Sequence, residues 1–77
     1  MISQFVANVA LENMTKSLLR MGVAYSEVTA KHGSTITMIA RINRSAVEYT
    51  FSCGEYGFYT INRFEAIRAL SNALEVA

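Results

Sequence analysis

The chain holds one cysteine and one histidine, and these two side chains bound its covalent and acid–base chemistry. Cys53 with His32 as its base is the only thiol–imidazole pair available for nucleophilic catalysis. Cys53 alternates with Tyr49 and Phe51, which puts it on an apolar strand face where a cysteine packs as a small hydrophobe. His32 precedes Gly33 and Ser34 and reads as a solvated turn residue. Its functional alternative is a phosphate contact or a general acid in RNA cleavage, and no second histidine stands ready to share that work. A single cysteine excludes an internal disulfide and a multi-thiolate metal site, so neither a metal nor a cofactor is expected. The glutamates, Glu12, Glu27, Glu48, Glu55, Glu65 and Glu75, are spread over every segment and read as solubilising charges. Gly54 and Gly57 are spaced wrongly for a nucleotide-binding fingerprint. The expectation is a protein that is not an enzyme.

Two other residue groups point to binding. Residues 16–44 carry Lys16, Arg20, Lys31, Arg41 and Arg44 against Glu27 alone, whereas the whole chain is only +1. With His32 they form a candidate phosphate-contacting set, and RNA is the alternative partner they imply. The second group is aromatic. Tyr56, Phe58, Tyr59 and Phe64 crowd into a short stretch, with Phe58 and Phe64 expected to seal the core. Tyr56 and Tyr59, in an aromatic loop, are candidate interface anchors, since tyrosine offers a large apolar body with a polar tip.

The elements that must position these residues are legible from periodicity. Residues 2–21 repeat Ala7, Leu11, Met14, Leu18 and Met21 at helical spacing, widened by Ile2, Phe5, Val6 and Val9. Glu12 and Lys16 stand four apart on the polar side, an exposed helix pair. Arg20 and Gly22 mark the helix end. Residues 35–43 alternate, with Ile36, Met38, Ala40 and Ile42 on one face. After the turn Asn43-Arg44-Ser45, Val47, Tyr49, Phe51 and Cys53 do the same. Residues 23–31 are a third strand of ambiguous facing. Short turns make these an antiparallel meander. Gly54 and Gly57 bracket a loop or a turn into a short fourth strand at Phe58–Thr60. Asn62 and Glu65 have capping-box spacing, and Phe64, Ile67, Leu70, Ala73 and Leu74 stripe a final helix.

The expected fold is α+β, one domain over residues 1–77. It is a two-layer sandwich of order α-β-β-β-α, with a three-stranded antiparallel sheet, a possible short fourth strand and both helices on one face. The other sheet face would show Tyr25, Thr37, Ile39, Arg41, Glu48 and Thr50. Tyr25, Ile39 and Arg41 there, with Tyr56 and Tyr59, are the candidate partner-binding residues. An apolar patch on an open face calls for a protein partner or a second copy of the chain as a homodimer. So small a domain is also marginal alone.

Hydrophobic content of 52% against 17% charged excludes a disordered tail. No apolar run approaches ~18 residues, so no membrane span is expected. Met1-Ile2-Ser3-Gln4 lacks the basic start of a signal peptide, and a cytoplasmic protein is expected.

The α-β-β-β-α order resembles the double-stranded RNA-binding domain. Tyr25 through Ser34 looks like that family's first strand and loop, and Ala66, Ala69, Ala73 and Leu74 are similar to its alanine-rich final helix. The resemblance implies duplex-RNA binding. Where that family carries a lysine cluster, this chain reads Thr60-Ile61-Asn62-Arg63-Phe64-Glu65. Toxins of the HicA type share a similar order, with a catalytic histidine after a Gly-Ser pair. Here His32-Gly33-Ser34 runs in reverse, and that activity is not carried over. In size and composition the chain also looks like a phage or mobile-element accessory protein, a class that works by stoichiometric inhibition of host proteins.

Overall fold

The first helix forms and stops where its periodicity and its glycine require. The computed structural model describes residues 2–77, with side chains from Gln4 onward. Helix α1 spans Ile2–Met21. Gly22 follows at φ 77°, a left-handed conformation that glycine adopts without a Cβ clash. Its N–H donates to the Leu18 carbonyl at 2.9 Å, and its own carbonyl accepts from Ile42 N at 3.0 Å. The end of α1 is thereby stitched to the sheet.

Four strands follow: β1 (Val23–Thr29), β2 (Thr35–Asn43), β3 (Ala46–Cys53) and β4 (Tyr56–Thr60). Helix α2 (Arg63–Val76) closes the chain. The sheet is an antiparallel meander in the order β1-β2-β3-β4. The expectation of three strands with a possible fourth is corrected to four, and β4 begins at Tyr56 rather than Phe58. Cys53 pairs with Tyr56 across a two-residue loop. Gly54 at φ 60° provides the positive φ that a tight hairpin loop needs at its first position. Tyr56 and Tyr59 therefore lie in a strand and not in an aromatic loop.

Both helices pack on one sheet face. The core joins Ala7, Leu11, Met14 and Leu18 of α1 and Ala66, Leu70 and Leu74 of α2 to Ala24, Ile36, Met38, Ala40, Tyr49 and Phe51 of the sheet. The ambiguity in residues 23–31 resolves through register. Ala24 opposes Ala40 and Val28 opposes Ile36, so these face the helices and Tyr25, Glu27 and Thr29 face away.

The helical stripes are narrower than their sequence suggests. Phe5, Val6, Val9 and Met21 are exposed, because Ala10 occupies the buried flank beside Ala7 and Leu11. Ile2 lies outside the described side chains. In α2 the buried line is Ala66, Leu70 and Leu74, and Phe64 is 80% exposed rather than sealing the core. Phe64 is only two residues past the cap, and the first turn carries it beyond the sheet. Phe58 does pack against the core, stacked on Phe51 with ring centroids 6.2 Å apart.

Polar contacts lock the helices in place. Asn62 Oδ1 accepts from Phe64 N at 2.8 Å and Glu65 N at 3.1 Å, capping α2. The capping box is completed through an intermediary. Asn62 N donates to Thr60 Oγ1 at 3.0 Å, and that hydroxyl donates to Glu65 Oε1 at 2.8 Å. Glu12 reaches across to Arg63 Nη2 at 4.0 Å rather than pairing along its helix with Lys16, and Arg63 Nη1 donates to Thr15 Oγ1 at 3.3 Å.

Candidate functional site: the open sheet face

The meander leaves one sheet face without a helix, and its register arranges that face in rows. Tyr25, Ile39, Thr50 and Tyr59 align side by side across all four strands. Tyr25 is 63% exposed, Tyr59 58% and Ile39 36%. Side chains in one such row stand within reach of their neighbours, so the row is a continuous surface. The adjoining row carries Val23, Arg41 and Glu48, and exposed Ile61 follows β4 directly. The row on the other side carries Glu27, Thr37, Ser52 and Gly57.

Glu48 organises the middle of this face. Its Oε2 accepts from Asn43 Nδ2 at 2.9 Å and from the Tyr59 hydroxyl at 3.2 Å, while Arg41 Nε lies 3.7 Å from Oε1. At the far edge the Tyr25 hydroxyl donates to Glu27 Oε2 at 2.8 Å. Both tyrosines are held above the ordinary phenol pKa. For Tyr25 the chief cause is the bond to Glu27, which favours the protonated phenol. For Tyr59 the chief cause is desolvation, followed by the bond to Glu48. These bonds draw each phenol toward a carboxylate of the same face.

The structure brings Tyr25, Ile39, Arg41 and Tyr59 together and sets Tyr56 apart. Tyr56 pairs with Cys53 on the helix side of the sheet and lines a small cleft of about 300 Å³ with Arg68 and Asn72 of α2. Glu48, expected on this face but not among the candidate binding residues, joins the site with Asn43 and Val23, which the sequence did not single out. Alternation with Tyr49 already turns Glu48 outward, but only the β2–β3 register places it opposite Arg41.

The basic residues divide between the two ends of the sheet, with the Arg20 end of α1 joined at Gly22–Ile42 to the end that carries Arg41 and Arg44. Lys31 and His32 sit in the β1–β2 turn and Arg44 in the β2–β3 turn, at opposite ends of a nine-residue strand, about 27 Å apart along its axis. Lys31 is drawn toward α2. Its N–H donates to Leu74 O at 2.9 Å and its Nζ lies 3.6 Å from Glu75 Oε2. Lys16 and Arg20 project from α1, exposed. Arg41 alone of the set lies on the open face, beside Glu48. His32 is exposed in its turn, and Cys53 packs half-buried against the core.

A cleft of about 510 Å³ runs between α1 and α2, lined in part by Asn8, Arg68 and Asn72. Among the described residues no three His, Cys, Asp or Glu side chains stand close enough to hold a metal ion. No helix among them is long and apolar enough to cross a membrane. Set against known proteins, the chain matches no family model, no curated protein and no solved structure, so its own geometry carries the functional argument.

Proposed function

We propose that this chain is a non-enzymatic binding module that engages a protein partner through its open sheet face. The observation that carries the reading is the exposed row Tyr25–Ile39–Thr50–Tyr59, with Arg41 beside it. An unpaired sheet face with two anchored tyrosines and an isoleucine at its centre has the make-up of an interface core. Arg41 and Glu48 supply the charges that set orientation. The RNA reading draws on Lys16, Arg20, Lys31, His32, Arg41 and Arg44, which are spread over both ends of the sheet and the helix.

The test is capture on the immobilised chain from a lysate of cells that also produce a free copy of the chain, with and without nuclease, using the wild type and an Ile39→Ser/Arg41→Glu variant. Retention of a protein by the wild type in both arms, lost in the variant, is the expected result. Retention that survives the double substitution removes the open face as the site. Retention abolished by nuclease moves the function to RNA, and steep weakening with salt would then follow from counterion release.

A further inference from the structure

We infer that the partner this face fits is a second copy of the chain, docked face to face about a two-fold axis. This rests on the preceding reading of the open face as a protein-binding surface. The argument is one of self-complementarity. A two-fold axis parallel to the strands, midway between β2 and β3, lays β1 over the partner's β4 and β2 over its β3. The register then dictates what meets what. Arg41 and Glu48 are cross-strand partners within one chain. The axis therefore sets Arg41 of each copy over Glu48 of the other, twice over. Tyr25 meets Tyr59, Ile39 meets Thr50, and Thr37 meets Ser52, because each pair shares a row at mirrored positions. The third charge on the face, Glu27, meets Gly57, the one position there without a side chain. No like charges are opposed. An isologous contact requires this property of a surface, and it is a demanding one for a face that carries three charged residues.

The area sets the strength. Four strands about 4.8 Å apart and seven residues at ~3.3 Å each make a face of roughly 19 by 23 Å. Two such faces cover about 900 Å², near the ~1,000 Å² at which specific association begins. The association is therefore a weak, exchanging one. The docked sheets align within about 30°, as face-packed sheets do, with the helices outermost.

The experiment is sedimentation equilibrium over a wide concentration range on five samples: wild type, Arg41→Glu, Glu48→Arg, an equimolar mixture of these two, and the Arg41→Glu/Glu48→Arg double variant. Circular dichroism checks that each is folded, which matters most at Glu48, whose side chain is only 20% exposed where that of Arg41 is 66%. The wild type should dimerise. Each single variant opposes like charges at both contacts and should weaken self-association at least ~10-fold. The mixture opposes unlike charges at both contacts and should recover the wild-type Kd within about threefold, as should the double variant. Dimerisation of the wild type without recovery in the mixture overturns the proposed pairing. A wild type that stays monomeric at every concentration overturns the second-copy assignment. If that monomer still captures a different protein through Ile39 and Arg41, the binding face itself stands. If it captures nothing through them, both fall.

Discussion

The Tyr59 hydroxyl donates to Glu48 Oε2 at 3.2 Å, tying the outermost strand to the one carboxylate at the centre of the open face. Asn43 donates to the same oxygen at 2.9 Å. A chain this short has few ways to hold an exposed aromatic ring in place. It uses a cross-strand carboxylate on one side of the sheet and a near neighbour, Glu27, on the other.

Removing that carboxylate should release Tyr59 and leave Tyr25 alone. Glu48→Gln is expected to lower the Tyr59 pKa, since an anionic acceptor that favours the protonated phenol is lost. Tyr25 answers to Glu27 and should not move. Tyrosine absorbance followed through alkaline pH reads both. The sign for stability follows from the raised values. The two phenols contribute fully below the unfolded tyrosine pKa of about 10, and the contribution fades as pH rises through their higher folded values. Denaturation midpoints should accordingly fall above pH ~10, and less so in Glu48→Gln.

Phe51 is the largest fully buried side chain, and Phe58 stacks on it. Phe51→Ala should cost about 3–5 kcal/mol. A domain of this size has roughly 4–12 kcal/mol in total, so urea denaturation should show a large part of the stability gone and a midpoint well below that of the wild type.

Arg44 is the single non-glycine residue with positive φ among the described residues, at 61° in the β2–β3 turn. A side chain there strains the backbone by about 1 kcal/mol or more. Arg44→Gly should stabilise by up to ~1 kcal/mol once the greater freedom of the unfolded chain is set against the relieved strain, read as a higher thermal midpoint. Arg44→Ala should not, because alanine keeps the Cβ.

Thr60 is buried and joins the Asn62 N–H to the Glu65 carboxylate. Thr60→Val keeps the shape but removes both bonds, and should destabilise by about 1–3 kcal/mol. Thr60→Ser should restore most of it. Asn62→Ala removes the cap itself and should cost about 1 kcal/mol. Chemical denaturation of the three variants separates the relay from the cap.

The sequence by itself determined the two helices and the first three strands in their order, the span of the first helix and the two faces of β2 and β3. Period-two alternation around Met38 and Phe51 and helical spacing around Leu11 are local signals that packing only reinforces. It also placed Ile39 and Arg41 outward together, because alternation assigns a face even where no neighbour is known, whereas the facing of Tyr25 waited on the β1–β2 register. The tertiary structure decided the rest. The start of β4 depends on a tight loop at Gly54, and an aromatic stretch reads equally as loop or strand until Cys53 is seen opposite Tyr56. Phe64 and Met21 continue apolar stripes in sequence, yet the sheet beneath is too small to cover the ends of both helices. Glu48 acquired its place beside Arg41, Asn43 and Tyr59 only through register. A one-residue slip would turn every side chain to the opposite face, and the pairing that forbids the slip is a property of the whole sheet.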